Sequence, residues 1–238
     1  MKFRDLRKLE MVMNVPNRVA AAVALAALAL PVSAETFLPD GSLDGVTLIG
    51  PPAEPGTPAF DNEMFTVLWL QESRTDEQVA FVQEAVDLDR FVPIVGESLT
   101  DADQDALRAM LDQVIDEVRD DYNAVKEVYD IPRPFVINDA VEPVAEAFPV
   151  TSYPSGHTIR AIVYSSVLSD VFPEHSDALT QLGREIGYGR VIGGVHYPMD
   201  VVAGQKLGDA YMDVIRAQPI YQSEIEAIRA PAISVFWV

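Results

Sequence analysis

Between Thr100 and Tyr129 the apolar residues Leu107, Met110, Leu111, Val114, Ile115, Val118, Tyr122 and Val125 recur every three or four positions, with charged residues between them. That period is the signature of a helix with one buried face, so a long amphipathic helix is expected here. Thr100-Asp101-Ala102-Asp103 supplies the start. Pro132 and Pro134 bound the end near residues 126–129, because proline cannot continue a helix.

The same reading extends along the chain. A helical pattern begins near Phe60, and Thr75-Asp76-Glu77-Gln78 has the form of a capping box ahead of Val79, Phe81, Val82 and Val86. Further helices are expected at about 156–170, 177–191 (capped by Asp177) and 198–217, with a last short one over residues 223–229. Pro143, Pro149 and Pro154 mark residues 138–153 as a loop. Residues 35–62 are dense in proline and glycine and read as an extended surface arm with little regular structure. Alternating, β-branched runs are rare and short. The expected architecture is therefore all-α: a single helical bundle domain over residues 63–238, with functional side chains from several helices meeting in one cleft.

Composition narrows this picture. A chain of 238 residues with 49% apolar content has room for one sizeable core. It contains no cysteine, which excludes disulfides, Cys-ligated metal sites and thiol nucleophiles. Lys2, Arg4, Arg7, Lys8 and Arg18 precede the unbroken apolar run from Val19 to Leu30, and Pro31-Val32-Ser33-Ala34 follows. Positive, apolar and small-residue regions in that order read as an export signal over residues 1–34. The run is too short to span a bilayer comfortably, so the mature protein is expected in the periplasm or secreted. The net charge is −20, and the signal holds five basic but only two acidic residues, so the remainder is more acidic still. Such a surface repels nucleic acid and anionic lipid. Neither is expected as a partner, and no later run has the length of a membrane span.

Candidate chemistry gathers in three segments. In Tyr153-Pro154-Ser155-Gly156-His157-Thr158, a proline and a glycine precede a helix-competent run. A helix start offers free N–H groups and a positive dipole end, which favour an anion. His157 at the same place could pass a proton. A plain turn with Ser155 as N-cap accounts for the same residues. Downstream, Arg190 precedes His196 by six positions across Gly193-Gly194, and Asp200 follows His196 by four. If a helix begins near His196, that interval puts the carboxylate one turn away. A carboxylate accepting Nδ1–H leaves Nε2 free as nucleophile or base. A structural His beside a capping Asp has the same spacing. Upstream, Lys126 closes the long helix and Arg133 is held between Pro132 and Pro134. Cations at helix ends are common for dipole reasons alone. Yet these three cations, in an acidic chain, fall in the segments that carry the histidines. His175, in Pro173-Glu174-His175-Ser176, reads as a solvated loop residue.

Together the segments read Lys126-x6-Arg133-Pro134, Pro154-Ser155-Gly156-His157 and Arg190-x5-His196-x3-Asp200. In order and spacing this resembles the type 2 phosphatidic acid phosphatase superfamily, which also includes vanadium haloperoxidases. The string Ser152-Tyr153-Pro154-Ser155-Gly156-His157-Thr158 is similar to the secreted class A bacterial non-specific acid phosphatases, and the resemblance covers roughly residues 45–217. One departure is plain: Gly189 stands where the motif has Ser, and with it goes any phosphate contact that Ser would make.

The resemblance implies a metal-independent, secreted acid phosphatase. It would hydrolyse phosphate monoesters through a phosphohistidine, with phosphotransfer as a side activity and no cofactor. His196, oriented by Asp200, would attack phosphorus, and His157 would protonate the leaving group and then activate water. Lys126, Arg133, Ser155, Gly156 and Arg190 would bind phosphate. A zinc site is disfavoured, because the His–Asp pair lacks a compact third ligand. Other readings of the same residues are a vanadium-dependent haloperoxidase, whose branch usually has longer chains, and a non-catalytic anion-binding secreted module. The integral-membrane lipid phosphatases of the superfamily need several spans that this chain lacks. The natural ester and any homo-oligomer are left open.

Overall fold

A computed structural model describes residues 36–96, 99 and 101–229. The expected export signal lies outside the described residues. The helices are α1 (Gly45–Ile49), α2 (Pro58–Ser73), α3 (Asp76–Gln83), α4 (Val92–Val95), α5 (Asp101–Tyr129), α6 (Pro134–Ile137), α7 (Gly156–Val171), α8 (Ser176–Ile192), α9 (Pro198–Arg216) and α10 (Pro219–Arg229). Short 3-10 turns cover Leu88–Arg90 and Pro173–His175. Among the described residues there is no β-strand, so the fold is all-α as expected.

The long helix follows its sequence pattern. Leu107, Met110, Leu111, Val114, Ile115, Val118 and Val125 of α5 are buried, while Tyr122 is only half-buried. Thr75 caps α3 through the expected reciprocal pair: its hydroxyl accepts from Gln78 N–H, and the Gln78 carbonyl accepts from Thr75 N–H. Ser155 caps α7 by accepting from Thr158 N–H at 3.3 Å. Asp177 does not cap α8. The 3-10 turn Pro173–His175 runs directly into Ser176, so His175 takes the N-cap position and Asp177 lies inside the first turn. His175 is part-buried beside Glu174 and not a freely solvated loop residue.

Residues 35–62 differ most from expectation. Much of residues 36–62 lies at the surface, but parts of it are buried or helical instead of extended. Phe37 and Leu38 are buried in the main core, and Leu38 N–H and the Thr36 hydroxyl both donate to Glu117 on α5. Asp44 caps the five-residue α1, and Thr57 caps α2 just ahead of Pro58. The proline and glycine content correctly signals turns, but the intervening apolar residues have a core to join. Tyr129 and Tyr153 donate their hydroxyls to the Val46 and Gly50 carbonyls, tying the segment to the loops beside α5 and α7.

The centre of the bundle is α7, with buried residues on every side: Ile159, Ala161, Ile162, Val163, Tyr164, Ser165, Val167 and Leu168 among them. Two helices approach it closely through glycine. A methyl group at Gly183 of α8 would sit 2.6 Å from Ser165 Oγ and 3.0 Å from the Ala161 carbonyl oxygen. One at Gly204 of α9 would sit 2.8 Å from the Ser155 carbonyl oxygen and 3.0 Å from Thr158 Cβ. Backbone cannot move aside as a flexible side-chain tip can. Gly204 lies one turn beyond Asp200, so this contact sets the distance between the starts of α7 and α9, where the candidate site lies. Among the described residues no helix is long and apolar enough to cross a membrane.

Gly204→Ala is expected to destabilise the protein by about 1–3 kcal/mol through overpacking, exceeding the gain of about 1 kcal/mol that Ala has over Gly in a helix. Denaturant unfolding measures this, and an unchanged or raised midpoint would show that α9 can move off α7 at no cost.

Candidate active site

Each candidate side chain sits at or beside a helix end. Lys126 is in the last turn of α5, Arg190 in the last turn of α8, and Arg133 directly precedes α6. His157 is in the first turn of α7, and Asp200 is in the first turn of α9. His196 lies in the short connection between α8 and α9, which Gly194 turns with a φ of 72°.

Asp200 is fully buried and one of its oxygens takes three donors. Oδ2 accepts from His196 Nδ1–H at 2.9 Å, from Tyr197 N–H at 2.9 Å and from the Ser152 hydroxyl at 2.5 Å. Three donors on one oxygen suit an ionised carboxylate, which has only acceptors to offer. The imidazole is thereby fixed with its proton on Nδ1, and Nε2 is left with a lone pair. That Nε2 is buried and has no hydrogen-bond partner. The expected geometry of the pair is therefore present, with Ser152 as an additional holder. Neither periodicity nor spacing marked Ser152, because its partner lies 48 positions away.

The three cations are buried as well: 8% of Lys126, 6% of Arg133 and 5% of Arg190 is exposed. Two of them contact backbone carbonyls. Lys126 Nζ donates to the Thr151 and Ser152 carbonyls, both at 3.1 Å. Arg133 donates from Nε to the Val150 carbonyl at 3.2 Å and from Nη1 to the Val195 carbonyl at 3.1 Å. Arg190 Nε and Nη2 are buried without a partner. Among the described residues none of the three forms an ion pair with a carboxylate. Buried donors left unsatisfied cost roughly 1–3 kcal/mol each, so this arrangement is built for something other than stability.

The electrostatics agree. Burial, then Arg133, Lys126 and Arg190, hold His196 well below its ordinary value of 6.5. His157 is pushed down to about 3 by burial first, then by Arg190, Arg133, Arg160 and Lys126. Burial, with Arg133 adding to it, lowers Lys126 to about 8, and the same two causes lower Arg190 to about 10. Burial raises Asp200 to about 6, opposed by the Ser152 and Tyr197 hydrogen bonds. Every cationic group here is driven toward losing its proton, because like charges share a poorly solvated space. An anion entering that space reverses the drive. Among the described residues no three His, Asp or Glu side chains converge as a cation cage.

A cleft of about 460 Å³ opens on this cluster. Lys126, Arg133, Gly156 and His157 line it, as do Tyr122 and Arg160, which the motifs do not include. Ser155, Arg190, His196 and Asp200 do not line it and are buried. The Ser155 hydroxyl accepts from both Thr158 N–H and the Thr158 hydroxyl, so its oxygen serves the cap while its own proton can still be donated. Gly189 turns out to face elsewhere. A Cβ there would meet Val82 Cγ1 at 2.9 Å and Phe81 Cε1 at 3.6 Å. A side chain at this position would point at α3, so the glycine permits close α3–α8 packing and removes no contact that this backbone could aim at an anion.

Comparison with known proteins places this geometry in context. Residues 109–218 match the PAP2 superfamily. The chain is 26% identical over 196 residues to the non-specific acid phosphatase of Providencia stuartii, spanning 78% of this chain and 79% of that one. It is 25% identical over 196 residues to the acid phosphatase of Zymomonas mobilis, spanning 78% of this chain and 74% of that one. A shorter match of 78 residues, 33% of this chain and 31% of the other, reaches 37% identity with the non-specific acid phosphatase of Salmonella typhimurium. All eight candidate residues, from Lys126 to Asp200, fall inside the 109–218 segment that matches the PAP2 superfamily, so the chain carries a PAP2 superfamily domain.

Proposed function

We propose that this protein is a secreted or periplasmic acid phosphatase of the class A type, hydrolysing phosphate monoesters through a phosphohistidine without a metal ion. The observation that carries the reading is the buried Nε2 of His196, unpartnered among the described residues, with its tautomer held by Asp200 beside three cations that have no carboxylate partner there. The named acid phosphatases among its relatives support the same reaction class.

The phosphoryl group enters past His157 toward Nε2, with its oxygens against Lys126, Arg133 and Arg190. The Nε2 lone pair forms the N–P bond as the P–O ester bond breaks, and Asp200 stabilises the charge that develops on the ring. The leaving oxygen takes a proton from His157. Water then gives a proton to His157 and attacks phosphorus, the N–P bond breaks, and phosphate leaves with both histidines restored. An alcohol in place of water gives phosphotransfer. The cations stabilise charge on the equatorial oxygens throughout. His157 must carry a proton for the first step, although burial and then the surrounding cations hold it neutral. The anionic ester supplies the missing negative charge, so protonation of His157 is coupled to substrate binding, and an acidic pH favours it.

His196→Ala is expected to lower kcat on 4-nitrophenyl phosphate by about a thousandfold or more, as loss of a nucleophile does. His157→Ala should cost about a hundredfold or more on an alkyl phosphate. Its cost on the nitrophenyl ester should be smaller, because that leaving group departs without a proton. Equal losses on both esters would remove His157 as the acid. Chelator should leave turnover intact and vanadate should inhibit it; inactivation by chelator alone would overturn the metal-free mechanism.

The same shifts predict a pH dependence of stability. His157 and His196 have folded values below the ordinary one, so the unfolded chain binds their protons more tightly. Their contribution is complete above about 6.5 and is lost as pH falls toward 3. Asp200, raised to about 6, acts oppositely: its contribution is complete below about 4 and is lost as pH rises through 6. Two histidines outweigh one aspartate. The melting temperature should fall between pH 6.5 and 4, and His157→Gln should fall less steeply than the wild type. Parallel slopes would show that His157 titrates normally in the folded protein.

A further inference from the structure

Beside Lys126 and Arg133, the cleft is lined by a third cation that the motif segments do not supply. Arg160 lies on α7 three residues beyond His157, on the same face and about 4.5 Å further along the helix. It lines the cleft together with Tyr122 and Asn123 of α5 and Phe148 of the preceding loop. Its Nε is buried without a hydrogen-bond partner, and among the described residues its guanidinium forms no ion pair. Its central carbon stands 6.0 Å from the ring centre of Tyr164, a cation–π contact that leaves the guanidinium charge unneutralised.

That isolation needs a reason. The chain carries 37 acidic residues against 17 basic ones. Arg90, Arg108, Arg119 and Arg216 each have a carboxylate within 4 Å. Arg160 shares the unpaired state of Arg133 and Arg190, but it is part-exposed in the cleft where those two are buried. The acidic side chain in the cleft lining is the exposed Glu127, and it is not paired with Arg160. Phe148, 56% exposed, and Val150, 54% exposed, give the cleft an apolar edge.

Position decides what such a cation meets. His157 delivers its proton to the ester oxygen, so the atoms of the leaving group lie beyond it. A part-exposed guanidinium one helical turn from His157 in the same cleft is placed to meet those atoms, and its planar fork suits an oxyanion. We propose that Arg160 determines substrate specificity by binding a second anionic group, a carboxylate or a phosphate, on the leaving group of the ester. The preferred substrates are then doubly anionic monoesters whose second charge lies a few bonds from the scissile oxygen. This rests on the phosphatase reading of the site.

The test uses the full chain and two matched substrate pairs: phosphoglycolate against its glycolamide counterpart, and fructose 1,6-bisphosphate against fructose 1-phosphate. The wild type should have the higher kcat/KM on the charged member of at least one pair, and which pair shows it identifies the second anion as carboxylate or phosphate. Arg160→Met should reduce that charged-to-neutral ratio by about tenfold to a hundredfold, the usual worth of a hydrogen bond to a charged group. Arg160→Lys should restore part of it. A rate change equal for both members of each pair would make Arg160 a general electrostatic contributor and overturn the assignment, as would no charged preference in the wild type. Hydrolysis of 4-nitrophenyl phosphate in parallel separates the two readings: turnover there without a charged preference removes only the Arg160 assignment. No turnover of any ester removes the phosphatase reading and this assignment with it.

Discussion

A single buried carboxylate oxygen holds the candidate site together. Asp200 Oδ2 accepts from His196, Ser152 and Tyr197, while the backbone carbonyl of Asp200 accepts from Ser155 N–H at 3.0 Å. Through one residue, the start of α9, the α8–α9 connection and the loop leading into α7 are fixed to each other. Lys126 donates to the carbonyls of Thr151 and Ser152, so the same loop is held from the α5 side. Removing one partner from a buried charge of this kind costs more than the pair contributes, because the remaining group cannot be solvated. The hub therefore acts as a constraint on geometry more than as a source of stability.

Close helix packing makes the hub possible. The glycines of α8 and α9 let both helices approach α7 until only hydrogen atoms separate backbone from backbone. Gly204 brings the start of α9 against the Ser155 carbonyl, within reach of the Ser155–Asp200 hydrogen bond. Gly189 does the same on the opposite side of α8, where α3 comes in against it. Around this rigid centre Lys126 and Arg133 are held by carbonyl oxygens instead of carboxylates. Carbonyls orient a guanidinium or ammonium without neutralising it, so the charge stays available to a ligand. Burial then raises its effect by lowering the local dielectric.

Much of this was legible in the chain. The period of α5, the Thr75–Gln78 capping box and the prolines around Arg133 locate elements through local backbone physics. The four-residue interval from His196 to Asp200 predicts a shared face because a helix turn is 3.6 residues. Other features were not legible. The proline-rich segment before residue 58 looks extended because no local period marks Phe37 and Leu38 as core residues; the core they join is built by α5 and later helices. Asp177 satisfies every local rule for a cap, yet the 3-10 turn ahead of it starts the helix one residue early. The Gly189 substitution could be read only as a lost hydroxyl until its Cβ direction was known.

The sequence by itself determined the helical class, most of the helices and the residue types available for chemistry, because these depend on periodicity, capping and composition within a few residues of chain. Tertiary packing brings Ser152 to the Asp200 hub, buries Lys126, Arg133 and Arg190 without carboxylate partners among the described residues, and adds Arg160 to the cleft. Those facts depend on which helix ends meet, and that is set by packing between segments dozens of residues apart, to which no local pattern is sensitive.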